Sequence, residues 1–77
     1  SMPDTMDEHV LAASASIVDV LVATGLASSK SEARRLIAGG GVRIDTIKVQ
    51  SPEQIVEAGV AAVIQVGRRK FVRIIPG

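Results

Sequence analysis

The side chains in this sequence best placed to do chemistry are cations and hydroxyls at the start of one short segment: Lys30 and Arg34 with Ser28, Ser29 and Ser31. On a helix, Lys30 and Arg34 lie side by side on one flank, because they are four residues apart. The helix gains nothing from them, since its dipole favours acids in the first turn and like charges at this spacing repel. An anion would gain, because it would meet exposed backbone N–H groups, hydroxyls and two positive charges together. We therefore interpret Lys30 and Arg34 as ligand contacts.

Arg35 has a different interpretation. It points away from the apolar side of the same helix, together with Ser31, and it follows Glu32 by three residues. A base and an acid at that spacing commonly form a solvated pair that contributes about 0.2–0.5 kcal/mol. We favour this surface pair for Arg35, and ligand contact is the alternative.

The segment that must position these groups is a capped helix followed by a strand. Ser29 is a preferred N-cap residue and Glu32 stands in capping-box register, so the helix should begin at about Lys30. The three glycines at 39–41 supply the positive φ values that end a helix. A strand, Val42 to Ile44, follows directly.

An earlier helix should hold this one in place. The segment from Ser16 to Thr24 has an N-cap at Ser16, Asp19 three residues on, and Gly25 at its end. Its β-branched residues have poor helix propensity, so packing must stabilise it. The apolar faces that should meet are Ile17, Val20 and Leu21 on the first helix and Ala33, Leu36 and Ile37 on the second. The pair resembles a DNA-binding helix-turn-helix, but strands follow it rather than further helices.

Two hairpins are predicted after the helices. In the first, strands 42–44 and 47–49 flank Asp45 and Thr46. Because threonine resists positive φ, we expect a bulge or a turn other than type I′. The second joins strands 60–66 and 70–75 across Gly67-Arg68, and alternation leaves open which of two adjacent residues in its last strand, 71 or 72, faces the core. Between the hairpins, the sequence Ser51-Pro52-Glu53-Gln54 predicts a helical turn before Gly59.

Composition bounds the molecule to one small domain. The 77 residues are 47% hydrophobic with one Phe and no Cys, Trp or Tyr, so the core should be aliphatic, and disulfides and cysteine metal sites are excluded. No apolar run approaches the roughly 18 residues of a membrane span, so we expect a soluble, cytoplasmic protein. Ser1-Met2 is typical of tag removal. We expect residues 1–15 to be a flexible leader, with a helical turn or two possible over 9–15, and residues 16–77 to be the folded domain.

Charge divides along the chain. The net charge is +1, yet the leader is acidic, and from Ile17 onward nine basic residues face five acidic ones. Such a basic domain suits an anionic partner, although an excess of this size is also common on ordinary surfaces. The cations in or near the turns and on the strand after the helix could converge on one face or simply keep the turns soluble; they are Arg43, Lys48, Arg68, Arg69 and Lys70. A single Phe offers little stacking for bases, so recognition should depend on phosphates and shape.

Catalytic residue sets are missing from the sequence. His9 is the only histidine and has no partner cluster, so an exposed side chain is the favoured interpretation. There is no GxxxxGK loop, and the glycines at 39–41 follow a helix and precede a strand, the reverse of the phosphate-loop order. Nucleophilic and nucleotide-hydrolysing chemistry is therefore not expected.

The motifs resemble a known family. Residues 25–37, GLASSKSEARRLI, and 40–44, GGVRI, resemble the RNA-binding module, the alpha-L motif, first defined in ribosomal small-subunit protein four. Residues 65–74, QVGRRKFVRI, are similar to the extreme C-terminus of bacterial tyrosyl-tRNA synthetases, in which this module is the last domain. The resemblance covers roughly residues 17–75. It departs from the family at Asp45-Thr46, where Asn-Gly is usual, and at Val60-Ala61-Ala62, which lacks a common acid.

The resemblance implies an α+β domain with two packed N-terminal helices followed by a small, mostly antiparallel sheet of short strands. It implies a non-catalytic, monomeric fragment of an ATP- and Mg-dependent tyrosine-tRNA ligase, without a cofactor of its own. Its partners would be the parent's catalytic domain and tRNA(Tyr), held near the long variable arm and anticodon stem. The implied RNA contacts are Ser29, Lys30, Ser31, Arg34, Arg35, Arg43 and the tip Arg68, Arg69 and Lys70, to which the charge pattern adds Lys48. Alternatives are the same module from an RNA-modifying or ribosome-associated protein, or a protein-interaction module with a solvated basic face.

Overall fold

The computed structural model describes residues 6–77; the expected tag remnant lies outside the described residues. An α+β fold with two adjacent helices is confirmed, but the helices are not first, because two strands precede them. The elements are β1 (Asp7–Leu11), β2 (Ala15–Ser16), α1 (Ile17–Ala23), α2 (Lys30–Ala38), β3 (Val42–Ile44), β4 (Ile47–Lys48), β5 (Ile55–Val56), β6 (Ala62–Val66) and β7 (Lys70–Pro76).

Five strands form one mixed sheet in the order β1-β7-β6-β3-β4, and β2 pairs with β5 separately. Among the strand pairs of residues 6–77, only β1 with β7 is parallel, with Asp7 opposite Val72 and Leu11 opposite Pro76. The helical turn considered for residues 9–15 is therefore wrong for the part that β1 occupies. A helical turn of so few residues is marginal by itself, whereas pairing satisfies the backbone groups of β1 and lets Leu11 join the core.

The first helix follows its local signals. The Ser16 hydroxyl accepts a hydrogen bond from the Asp19 amide at 3.2 Å, and α1 begins at the next residue. The Thr24 hydroxyl donates to the Val20 carbonyl at 2.8 Å, and Gly25 takes a φ of 79° beyond the helix end. Both ends are thus satisfied by side chains and turn geometry that the sequence predicts.

The second helix begins and ends as predicted, with two refinements. The Ser29 hydroxyl accepts from the Glu32 amide at 3.1 Å, while the Glu32 carboxylate accepts from the Ser28 amide at 2.8 Å, one residue before the N-cap. At the other end, the Gly41 amide donates to Leu36 and the Gly40 amide to Ile37, both at 3.0 Å, which is a Schellman motif. Of the three glycines, only Gly40 has a positive φ, of 75°.

Replacing Gly40 with alanine should therefore lower the free energy of unfolding by about 1–2 kcal/mol, because an L-residue resists this conformation. Urea denaturation measures the change. Gly39→Ala is the matched control, since Gly39 has an ordinary φ of −77° and room for a methyl group. An equal loss in both variants would contradict the argument.

The core lies between the helices and one face of the sheet and is aliphatic throughout the described residues. Val72 is 3% exposed and Phe71 is only half-buried, so Val72 is the inward residue of the pair left open by alternation. The predicted helix faces meet, although Leu36 lies at the margin. The buried residues are Leu11, Ile17, Val18, Val20, Leu21, Leu26, Ala27, Ala33, Ile37, Val42, Val49, Val56, Ile64, Val66, Val72 and Ile74.

The turn of the first hairpin differs from expectation. Asp45 and Thr46 both have positive φ, 48° and 72°, as a type I′ turn requires, so the expected alternative turn or bulge is wrong. The cause is a tertiary anchor. The Asp45 amide donates to the Val63 carbonyl at 2.8 Å, and the Asp45 carboxylate accepts from the Val63 amide at 2.9 Å. These bonds hold the turn against the preference of threonine.

Thr46→Gly should stabilise the domain by about 1 kcal/mol, because glycine adopts this φ without the clash of a branched side chain. The midpoint of urea unfolding should rise. Thr46→Val keeps the branching and should give no such rise, and a rise in both variants would argue against relief of backbone strain.

The connection between the hairpins is a turn and a short strand, so the helical turn predicted there is wrong. The Gln54 amide donates to the Ser51 carbonyl at 3.2 Å, which closes a four-residue turn. β5 then pairs with β2, and the Gln54 carbonyl accepts from the Ile17 amide at 2.7 Å. The segment gains these long-range bonds only by leaving a helical path.

Candidate nucleic-acid interface

The flank of α2 that carries Lys30 and Arg34 lines a polar groove of about 290 Å³ together with Asp19 and Glu53. Lys30 Nζ lies 3.5 Å from the Asp19 carboxylate, and both side chains are more than half exposed. Exposed pairs of this kind contribute little, so an arriving phosphate can compete for the lysine. The groove is a weaker anion site than two unopposed cations would make.

Arg35 lies on the outward side of α2 and is exposed. The surface pair favoured for it is not formed, because the Glu32 carboxylate bonds the Ser28 amide, and the ion pairs among residues 6–77 are Lys30 with Asp19 and Arg73 with Glu8. The structure thus pairs Lys30 and leaves Arg35 open, the opposite of the expected assignment. Ser31, one helical turn before it, shares the outward side.

The tip of the second hairpin lies beside α2. Register pairs Val66 with Lys70, so the turn contains the three residues 67–69, between the strand ends that the sequence predicts. Gly67 has a φ of 65°, and its amide donates to the Gly41 carbonyl at 2.8 Å just beyond the end of α2. The Gln65 side-chain amide donates to the Gly67 carbonyl at 3.0 Å. The bond to Gly41 holds the tip beside the end of the helix, and the bond from Gln65 stabilises the turn itself.

A pocket of about 490 Å³ lies between α2 and this tip. Its floor is aliphatic and its rim is charged. We call it the α2-tip pocket; its lining residues are Leu26, Glu32, Leu36, Gly41, Val66, Gly67, Arg68, Arg69 and Lys70. The sequence predicted the cations of the rim, but the floor and the carboxylate were not recognised as functional residues. The one sequence feature that could have indicated the floor of the pocket was Leu36, because it lies at the edge of the apolar face of α2.

The remaining predicted contacts lie elsewhere. Val42 and Ile44 pack on the core, so Arg43 projects from the opposite face of the sheet, where Lys48 is its cross-strand neighbour. The Lys48 side chain also reaches the end of α2, since a Cβ built on Gly40 would lie 3.3 Å from its Nζ. The structure therefore brings the tip to α2 but leaves Arg43 on the other side of the sheet.

Other kinds of site receive no support from the described residues. Within 6–77, no three His, Cys, Asp or Glu side chains are grouped so that they could hold a metal ion. Neither helix in that part of the chain has the length and apolar character needed to cross a membrane. The charged surface around α2 is the strongest candidate site.

Comparison with known proteins agrees with the motifs. The model of a family described as the S4 domain matches residues 17–61. A tyrosine-tRNA ligase of Thermotoga maritima is 45% identical over 76 residues, covering 99% of this chain and 19% of that protein. The tyrosine-tRNA ligase of Thiobacillus denitrificans is also 45% identical, over 95% of this chain and 19% of its own length. That of Synechococcus elongatus is 52% identical over 56 residues, which are 69% of this chain.

The chain thus spans about a fifth of the length of the first two relatives, and the segment it matches is the part that carries the S4 motif. The family match covers the helix motif, and the Thermotoga maritima relative, which matches 99% of this chain, covers the ending as well. The chain therefore belongs to the S4 family of RNA-binding domains, in the form found in tyrosine-tRNA ligases.

Proposed function

We propose that this chain is the tRNA-binding part of a bacterial tyrosine-tRNA ligase and binds tRNA(Tyr) with the exposed side of α2 and the hairpin tip. The observation that carries the proposal is that the tip with Arg68, Arg69 and Lys70 lies against one flank of α2, while the other flank and the outward side of that helix carry its own cations. Cations from two distant segments of the chain therefore surround one exposed helix. A curved phosphate backbone is a partner that such a spread of charge fits.

Within this surface, the contacts divide by chemistry. Arg34, Arg35 and the three cations of the tip would bind phosphates, and Lys30 would exchange its carboxylate partner for one. Ser31 is exposed and can donate a hydroxyl proton, and Ser29 can do so while its oxygen caps the helix. Arg43 lies at the far side of the sheet and would contact only RNA that wraps around it, whereas the Lys48 side chain reaches the end of α2 and could contact RNA bound there.

The finer features follow from the same proposal. The chain would have no catalytic activity and no cofactor, and its parent would use ATP and Mg²⁺ to charge tRNA(Tyr) in the cytoplasm. It would act as a monomer beside the catalytic domain of the parent and bind near the long variable arm and the anticodon stem.

The test is to compare binding of the chain to tRNA(Tyr), to a tRNA(Tyr) variant without the long arm, and to an unrelated tRNA. Binding should be tightest for the first and weaker for the other two. Equal, weak binding of all three would indicate a merely basic surface and a protein-interaction role. Equal, tight binding would point to a general RNA-binding module of an RNA-modifying or ribosome-associated protein.

Arg34→Ala should weaken tRNA binding by roughly eightfold at about 0.1 M salt, and should flatten the slope of log affinity against log salt by about 0.9, because one phosphate contact is lost. Alanine preserves the helix, so folding is not the cause. Arg34→Lys keeps the charge and should keep the slope. An unchanged slope in Arg34→Ala would remove Arg34 from the interface.

A further inference from the structure

The α2-tip pocket has an aliphatic floor that phosphate binding does not require. Leu26 and Val66 are nearly buried and Leu36 is half-buried, so the floor is rigid core rather than mobile surface. Its volume of about 490 Å³ falls in the range of sites for small molecules, roughly 300–1,000 Å³. A ligand that fills it needs an apolar face.

The charged rim of the pocket sets a second requirement, which is that the ligand carries a negative group. Arg68, Arg69 and Lys70 are exposed, and ion pairs among the described residues do not involve them. Three free cations above an apolar floor are complementary to a molecule with a flat apolar part and a negative part. A nucleotide has both, and a base taken out of its stack is commonly held between apolar side chains.

Glu32 is the third element of the pocket. Its Oε1 atom accepts from the Ser28 amide at 2.8 Å, which fixes the carboxylate at the pocket wall. A carboxylate repels phosphate and only accepts hydrogen bonds, so at this position it selects for neutral donors on the ligand. Among the four RNA bases, guanine presents two adjacent donors, N1–H and N2–H, on its Watson–Crick edge, and each of the others presents fewer in that arrangement.

We propose that the α2-tip pocket holds one unpaired guanine nucleotide of the bound RNA. The base lies on the floor formed by Leu26, Leu36 and Val66, the tip cations bind its phosphate, and the Glu32 carboxylate accepts from the guanine edge. Glu32 is then a specificity-determining residue. This inference rests on the proposed function, since it assumes that the partner is RNA.

The test titrates the chain with GMP, AMP, CMP and UMP and follows the amide NMR signals of Gly41 and Gly67, which line the pocket. GMP should shift these signals and bind roughly tenfold more tightly than the other three, the discrimination expected of a paired donor-acceptor contact. Glu32→Gln keeps an oxygen for the Ser28 amide but removes the charge, and the preference for GMP should fall to within about twofold. Glu8→Gln removes a carboxylate that pairs with Arg73 on the face of the sheet away from α2, and it should leave the preference unchanged.

Equal binding of the four nucleotides, shifts confined to other amides, or no shift with GMP would each overturn the inference. Binding of tRNA(Tyr) is measured on the same samples. If tRNA binds while GMP preference is absent, the pocket assignment fails and the proposed function stands. If GMP is preferred but no tRNA binds, the proposed function fails.

Discussion

Replacing Arg68, Arg69 and Lys70 together with glutamine should reduce the affinity for tRNA(Tyr) by about 10²–10³-fold at about 0.1 M salt, because three phosphate contacts disappear. The tip is exposed and its turn depends on Gly67, so glutamine side chains leave the fold intact. Filter binding or fluorescence anisotropy over a salt series measures both affinity and slope. The slope of log affinity against log salt should flatten by about 2.7 if all three contacts are to duplex phosphates.

Arg73→Gln is the control for the tip variant. Arg73 is paired with Glu8 at 3.2 Å on the face of the sheet away from α2, so its loss should change the affinity by less than about twofold and leave the slope as it is. If the loss of Arg73 lowers the affinity as much as the loss of one tip cation does on average, then tRNA binding depends on the net charge of the chain rather than on this surface.

Ile64→Ala should have the largest effect on stability. Ile64 is fully buried at the centre of the sheet, between β3 and β7, and truncating such a side chain costs about 2–5 kcal/mol. A small domain has only about 5–15 kcal/mol of stability in total, so the variant should unfold at a much lower urea concentration. Binding of tRNA should decline in parallel with the folded fraction.

Ile47→Ala makes the same chemical change at an exposed site. Ile47 is 71% exposed on the edge strand β4, and its truncation should alter the free energy of unfolding by less than about 0.5 kcal/mol. Similar losses of unfolding free energy in Ile64→Ala and Ile47→Ala would mean that the sheet face that carries Ile64 is not the core of the domain.

Signals within a few residues of each other predicted the two helices well. Ser16 and Ser29 cap them, Gly40 closes the second, and the apolar residues at helical spacing meet in the core. The caps and the helix ends depend on hydrogen bonds between residues three to five positions apart, so each short segment contains all its own partners. The hairpin strands were also predicted, because alternation and turn residues are local.

Features with distant partners were missed or misjudged. The strand β1 pairs with β7 at the other end of the chain, and no pattern in residues 7–11 indicates which strand it will pair with. The turn at Asp45 and Thr46 takes an unfavourable conformation because Val63 anchors it. The segment before β5 gives up a helical turn to pair with β2. In each case long-range backbone bonding outweighs a local preference of about 1 kcal/mol or less.

Some features of the candidate site also follow from local sequence, and others depend on distant parts of the chain. The sequence by itself determined which residues carry charge, that Lys30, Arg34 and Arg35 stand on one helix, and that Arg68, Arg69 and Lys70 share a hairpin tip. Only the tertiary structure decided that the tip lies against α2, that Arg43 faces the other side of the sheet, and that Glu32 and an aliphatic floor complete a pocket. The physical reason is that charge and helix periodicity are properties of neighbouring residues, whereas the pocket exists because strand register and one bond from Gly67 to Gly41 set where the tip stands.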